Sequence, residues 1–481
     1  MFPTSKSGGA GEKHMKLEKI FLENFRCFES LEVFLHPKIT ILVANNGQGK
    51  STVLDAIRIA LWPYVSQFDL ARTGYADPAN TITIDDVRLI KSLEQKSKAF
   101  GALDEMARQL NAAVTATGDY NGVQTTWQRF RDSEVKRSQT KDDNESKHLK
   151  IEAKRLQQEV RDLSSNPIDL PVFGYYGTGR LWRKKRLTDD KKGNADKNNE
   201  QIRTFAYKDC LDPASSFSQF ENWFTSAYIK VMQNQIEQIE QGSTFLEVDP
   251  KLKRPVKVVQ DAVNEILKPV SWQHLQYSET YKALVLKHPG LGVMKVSQLS
   301  DGIKNMLAMI ADIAYRCVLL NGHLGEDAAK KSSGIVMIDE IDMHLHPIWQ
   351  QSVVGSLQRA FPKIQFIMTT HSPQVLSTVT KECIRVLGEN VDGRDLAATP
   401  LAASYGEPSS DVLQAIMHVD PQPPVPEKTL LDELTSLVDQ GEHETKRALE
   451  LLAEVKQKLN SQHPQIQKIE RSIRRQEAVQ G

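Results

Sequence analysis

The sequence predicts an α/β fold: a buried, largely parallel sheet wrapped by helices, with a mostly helical insertion and a helical C-terminal tail. Three observations carry that expectation. The stretch Ile41–Leu61, "ILVANNGQGKSTVLDAIRIAL", reads as strand, glycine-rich loop and helix. Two later stretches, "SSGIVMIDEIDMHLHP" and "FPKIQFIMTTHSPQVL", begin as solid apolar strands and end in acids or a histidine. Strands that are apolar on both faces belong inside a sheet covered on both sides.

Composition sets the frame. The 481 residues suffice for two to four domains, and 40% are hydrophobic, so a sizeable core can be buried. Lys+Arg and Asp+Glu both total 61, so net charge is zero and any basic surface must be local. The four cysteines, Cys27, Cys210, Cys317 and Cys383, are far apart and form no CxxC pair. That argues against a zinc site or a disulfide framework and fits a reducing cytoplasm. No apolar run approaches the length of a membrane span, so no membrane association is expected. Residues 1–14 are polar, glycine-rich and without a signal-peptide core, which predicts a disordered leader with Met15 as an alternative start.

Along the chain, residues 16–47 read as strand, turn, strand and a third strand entering the loop. "KSTVLDAIRIALWPYV" places Val53, Leu54, Ile57 and Leu61 on one helical face. Residues 111–130 predict a hairpin turning at Asn121-Gly122. Residues 132–166 are charge-rich and helix-permissive without sustained heptads, so a long coiled-coil arm is not expected. "IDLPVFGYYGTGRLWRKKR" reads as a buried strand and a basic loop, and 215–270 as helical. The tail from Glu427 reads as two or three helices broken near "NSQHPQ". The corresponding domain expectation is a leader 1–14, a first lobe 15–130, an insertion 131–275, a second lobe 276–395 and a helical assembly or docking region 396–481.

Four motifs carry chemistry. Ala44-Asn45-Asn46-Gly47-Gln48-Gly49-Lys50-Ser51, followed by Thr52, fits G-x-x-x-x-G-K-[ST] except at its first position. The glycines let backbone N–H groups turn around phosphate oxygens, Lys50 supplies a cation, Ser51 can ligate Mg²⁺, and the helix N-terminus adds a positive dipole end. A plain glycine-rich turn has no use for Lys-Ser-Thr. Asp339 and Glu340 sit where a doubly wound sheet places its ligands, Asp339 suited to a metal and Glu340 to orienting a water. "QLSDGIKNMLAMIADIA" opens a helix at Ser300 and Gly302, an anion site by construction, although an ordinary serine cap reads the same. His371 follows the last apolar strand, placed to face a γ-phosphate.

In that order these motifs resemble the ABC-type ATPase head. "LSDG", "DEIDMHLHP" and "TTHSP" look like the RecF/SMC/OLD branch, over roughly residues 15–90 and 280–390. The resemblance implies a mixed sheet flanked by helices. It implies that residues 44–52 bind ATP, that Ser51 and Asp339 hold Mg²⁺, that Glu340 is the catalytic base and that His371 is the switch histidine. Ser300 and Gly302 become the signature that completes a neighbouring chain's site, and Arg26 of "NFRCF" a phosphate contact. One P-loop and one signature per chain imply a head-to-tail homodimer or a higher oligomer of such dimers. His346 stands at the usual D-loop aspartate position. No Q-loop glutamine is evident, Gln67 being the weak candidate.

The remaining chain resembles the ATPase subunits of Septu anti-phage systems, found also beside retrons, through "LPVFGYYGTGRLW", "FENWF", "YGEPSSDVLQAI" and the helical tail. That resemblance implies an HNH nuclease partner, PtuB. No Toprim-type carboxylate cluster or HNH constellation follows His371, so any nuclease would be another polypeptide. From Arg180 to Lys192 there are seven Lys/Arg against two Asp. With Tyr175, Tyr176 and Trp182 interleaved, Arg180, Arg183, Lys184, Lys185 and Arg186 could grip DNA or retron msDNA. A solvated basic loop is the plain alternative. Competing functions are a RecF-like DNA-repair ATPase without a nuclease partner and a nucleotide-binding regulator with little turnover.

Overall fold

A computed structural model describes residues 15–71, 78–91, 106–135, 139–162, 164–179, 202–213, 217–240, 249–460 and 462–480. The expected leader and the basic run Arg180–Lys192, with Trp182, lie outside the described residues. Two compact units divide the chain between Val412 and Leu413.

In the first unit, β1 (Met15–Phe25), β2 (Phe28–Phe34) and β3 (Ile39–Val43) lead into the helix Lys50–Val65. A ribbon of β4 (Leu89–Lys91) and β5 (Met106–Arg108) precedes the hairpin β6 (Ala112–Tyr120) and β7 (Val123–Arg131), which turns at Asn121-Gly122 as expected. Then come β8 (Lys141–Asp142), the helix Asn144–Arg161, β9 (Val172–Tyr176), helices Phe217–Glu240 and Pro250–Leu267, and the small sheet β10 (Gln273–Ser278), β11 (Ala283–His288), β12 (Gly292–Lys295). The helix Asp301–Asn321 is followed by β13 (Gly334–Ile338), β14 (Ile364–Thr369), β15 (Ile384–Glu389) and β16 (Asp395–Ala398).

The central sheet has the order β16-β15-β3-β14-β13-β9 and is parallel except for β16. This is the mixed sheet the sequence predicts. β3, β9, β13 and β14 are buried at every position, which is why their sequences show no polar alternation. β9 comes from the stretch expected to be an insertion, yet it pairs with β13 as the edge of the central sheet. Its outer edge is covered in part by 210–213: Tyr175 N donates to Cys210 O and Gly177 N to Pro213 O, both at 2.9 Å.

A second, antiparallel sheet, β2-β1-β6-β7-β8, lies on the P-loop helix. In β1 the buried residues Leu17 and Ile20 are three apart, and the pairing with β6 shifts between Leu17 and Lys19. This bulge returns Ile20 and Leu22 to the inward face after Leu17. It also frees backbone groups, which the buried amide of Gln365 in β14 satisfies. Gln365 Oε1 accepts from Leu17 N at 2.9 Å, and Nε2 donates to Leu17 O at 2.7 Å and His36 O at 3.0 Å. On β7, Trp127 Nε1 donates to Ala60 O at 2.8 Å and Arg129 to Ile59 O at 2.9 Å, fixing the far half of the P-loop helix.

The helix Asp301–Asn321 is locked to β9 by a buried polar cluster. Tyr176 donates to Asp312 Oδ2 at 2.7 Å, and Arg316 Nε donates to the same oxygen at 2.8 Å. Charge on Asp312 pushes Arg316 up from its ordinary value against the opposing effect of burial.

Among its described residues the second unit packs the helices Lys428–Asp439, Lys446–Lys458 and Pro464–Gln480. The break falls in the "NSQHPQ" stretch. Leu431, Leu434, Val438, Leu451, Val455, Ile466 and Ile469 form its own core. Among the described residues no helix is long and apolar enough to cross a membrane.

Candidate nucleotide site

The loop after β3 is exposed from Asn45 to Gln48, while Ala44, Lys50 and Thr52 are buried. Gly47 and Gly49 both take left-handed backbone, φ 81° and 82°. Gln48 Oε1 accepts from Asn45 N at 3.0 Å across the loop. Lys50 Nζ donates to Ala44 O at 2.9 Å and Asn45 O at 3.2 Å, so the ammonium lies along the loop's inner rim. Burial pulls the Lys50 pKa down, while Asp339, Glu340 and Asp342 favour its charge.

Ser51 and Asp339, 288 residues apart, meet: Ser51 Oγ donates to Asp339 Oδ2 at 2.8 Å. The other carboxylate oxygen accepts from Thr369 Oγ1 at 2.6 Å, and Thr369 Oγ1 in turn accepts from Glu340 N at 2.8 Å. The parallel register of β3, β14 and β13 brings these three strand ends to one edge. The hydroxyl and carboxylate oxygens are hard donors of the kind Mg²⁺ takes, so the residues present fit that ion. Among the described residues no group of three or more His, Cys, Asp or Glu could hold a metal. A metal here would therefore draw its other ligands from phosphate and water. Glu340 has φ 48°, a left-handed value that a non-glycine residue holds only under surrounding constraint. The bonds of Asp339 N to Tyr176 O (2.8 Å) and Ile341 N to Thr369 O (3.0 Å) supply that constraint on either side.

His371 follows Thr370, whose hydroxyl donates to Asp342 Oδ1 at 2.5 Å. Ser300 is exposed at the N-cap of the helix Asp301–Asn321, and its side chain makes no capping bond, unlike an ordinary serine cap. Gly302 is buried there, and a Cβ on it would meet His344 O at 2.3 Å. The motif at 299–302 thus abuts the loop after β13 rather than joining the cluster around Lys50.

Arg26, expected at phosphate, has φ 53° and is held by carboxylates: Nη1 on Asp55 Oδ2 at 2.6 Å and Nε on Asp86 Oδ1 at 2.8 Å. Burial lowers its pKa, but Asp55 and Asp86 outweigh that and leave it raised. Its neighbours Cys27 and Phe28 pack on Gly49 instead. Gln67 lies beyond the C-terminal end of the P-loop helix, about 24 Å from Lys50 at ~1.5 Å per residue. Its amide bonds Pro63 O at 3.3 Å and Ser66 Oγ at 2.8 Å, so it does not serve as a γ-phosphate ligand. Tyr175 and Tyr176, read as stacking partners for a nucleic acid, are each 3% exposed with their hydroxyls on Asp55 and Asp312. They are core residues of β9 and cannot stack on bases.

Sequence reasoning missed Asp342, Thr369, Thr370 and Asp55. The one signal for the threonines was two polar residues closing the apolar run of β14.

The chain is similar to known ATPases. The relative "Retron Vc95 probable ATPase" of Vibrio cholerae serotype O1 biovar El Tor is 27% identical over 471 residues, covering 91% of this chain and 86% of that protein. "Retron Ec83 probable ATPase" of Escherichia coli is 29% identical, covering 92% and 84%. "Septu protein PtuA" of Bacillus mycoides (strain KBAB4) is 46% identical over 112 residues, 23% of this chain and 15% of that protein. The model of the AAA ATPase domain matches residues 15–376, and the chain belongs to that family of ATPases.

Proposed function

We propose that the chain is an ABC-type ATPase of anti-phage defence that binds ATP at head-to-tail dimer interfaces and controls a partner HNH nuclease. The observation that carries the reading is the bond from Ser51 Oγ to Asp339 Oδ2. It joins the P-loop helix to the acidic strand end at the edge where a nucleoside triphosphate would sit. In this reading backbone N–H groups of 45–52 and Lys50 bind the phosphates. Ser51 and Asp339 would hold Mg²⁺, whose chemistry when bound would be to offset negative charge on the phosphates. Glu340, fixed in its left-handed conformation next to Asp339, orients the attacking water and takes up its proton. His371 faces the terminal phosphate.

The dimer rests on Ser300 and Gly302. The Ser300 hydroxyl is exposed and uncapped at a helix N-terminus, a geometry suited to an anion on another chain. The defence assignment rests on the retron and Septu relatives. The basic run Arg180, Arg183, Lys184, Lys185 and Arg186 is assigned to nucleic acid on charge alone.

Glu340→Gln tests the reading. The variant should bind ATP, release phosphate at about a hundredth of the wild-type rate or less, and run as a dimer with ATP in mass photometry. An unchanged phosphate-release rate refutes the role of Glu340, and a monomer with bound ATP refutes the dimer. Co-expression with a small HNH protein from the neighbouring reading frames should give a stable complex. A homodimer that retains DNA and no nuclease would favour the RecF-like alternative.

A further inference from the structure

We propose that Asp342 is a positioning residue for His371, acting through Thr370. This rests on the reading of His371 as the group that faces the terminal phosphate. The hydrogen-bond ladder between β13 and β14 ends at the strand tips, with Ile341 N on Thr369 O as its last rung. Beyond that rung the segment 370–372 leaves the sheet, its last backbone tie to a strand being the long bond from Thr370 N to Leu42 O of β3 at 3.4 Å. Side chains supply the shorter bonds that hold it.

Thr370 is fully buried and its hydroxyl works in both directions. It donates to Asp342 Oδ1 at 2.5 Å and accepts from Ser372 N at 3.0 Å. The same carboxylate oxygen lies 3.4 Å from His371 N, a longer and weaker contact. On the far side Ser372 Oγ donates to Gln350 Oε1 at 2.7 Å. The His371 backbone is therefore gripped on one side by Asp342 and on the other by the helix Pro347–Gln350. A short O–H···O⁻ bond is the stronger, charge-assisted kind. Asp342 itself sits in a tight turn, its carbonyl accepting from Leu345 N at 3.0 Å, so it has little freedom to follow a drifting partner. The effect is that the loop bearing Asp339 and Glu340 and the loop bearing His371 keep one spacing. A displacement of about 1 Å at such a group is enough to cost activity.

The test is a non-additivity experiment on the full chain. Asp342→Ala and Thr370→Val should each lower the kcat for phosphate release about tenfold, and Thr370→Val, which leaves the Asp342 charge near Lys50 in place, should leave the Kd for a fluorescent ATP analogue within about twofold. Asp342→Asn, which keeps an acceptor oxygen, should fall between. In a His371→Ala background neither substitution should lower kcat further. If Asp342→Ala and Thr370→Val cost the same factor with and without His371, the tether is overturned while the reading of His371 stands. If His371→Ala alone leaves kcat unchanged, the reading of His371 fails and takes the tether with it. Thr370→Val carries the test should Asp342→Ala fail to fold.

Discussion

Alanine at Gly49 and at Gly47 separates two costs that a glycine-rich loop normally confounds. Both glycines have φ near 80°. At Gly47 an added Cβ would meet nothing within 4 Å, so Gly47→Ala feels only the left-handed backbone cost, about 1–2 kcal/mol. At Gly49 the same Cβ would lie 2.3 Å from Phe28 Cζ and 2.9 Å from Cys27 Sγ. Phe28 is 5% exposed, so its ring has no open space to swing into. Overpacking of that kind costs about 1–3 kcal/mol more, which brings Gly49→Ala to roughly 2–5 kcal/mol. The strain falls on the segment that must wrap phosphate, so it should appear in nucleotide affinity. The expected losses are about 5- to 30-fold for Gly47→Ala and from about thirtyfold to a few thousandfold for Gly49→Ala. Isothermal titration with a non-hydrolysable ATP analogue measures both. Adding Phe28→Leu should recover part of the Gly49→Ala loss and none of the Gly47→Ala loss. Equal losses at the two glycines, or no rescue by Phe28→Leu, would refute the claim that the β1–β2 turn buttresses the P-loop.

The buried cluster under the helix Asp301–Asn321 should dominate stability in the first unit. Asp312→Ala strands Arg316, whose side chain is 3% exposed, and should cost about 3–5 kcal/mol in urea unfolding. Tyr176→Phe removes one hydrogen bond and should cost only ~1 kcal/mol; equal costs would contradict this account. In the second unit Arg447, Lys456 and Lys428 hold Glu433, Glu470 and Asp420 below the usual carboxylate range. A depressed folded pKa means stabilisation present above the unfolded pKa, about 4, and lost as pH falls through the folded value. The thermal midpoint of a fragment spanning 413–481 should hold from pH 7 to about 5 and drop below about 4. The drop should be small because these pairs are exposed and screened. A midpoint that rises on acidification would overturn the assignment.

Much of the core was legible because local chemistry repeats itself in sequence. β3, β13 and β14 announce themselves as apolar runs, since strands buried on both faces tolerate no polar alternation. Asn121-Gly122 fixes a hairpin through two residues that accept positive φ. Lys50-Ser51 after a glycine-rich loop, and Asp339-Glu340 after β13, read as a phosphate site by residue type alone, and the fold brings Ser51 and Asp339 together. Less legible was anything that depends on which distant strand comes alongside. β9 gave an apolar run like the others, yet nothing local says that it pairs with β13 or that Tyr175 and Tyr176 are consumed by Asp55 and Asp312. Read as aromatics beside a basic run, they pointed to nucleic acid; in the fold they are core.

Arg26 illustrates the same division. Its place in "NFRCF" suggested a phosphate contact, but Asp55 and Asp86 converge on it from 29 and 60 residues away. Gln67 was excluded by length alone, once the helix starting at Lys50 was seen to run unbroken to Val65. The sequence by itself determined the chemistry at the strand ends, because backbone conformation and residue type there are set within a few positions. Only the tertiary structure decided how those ends are spaced. The bond between Ser51 and Asp339, the threonine bridges to Asp339 and Asp342, and the contact of Gly302 with His344 all follow from parallel register and packing. Those are properties of pairs of segments, and no single segment encodes them.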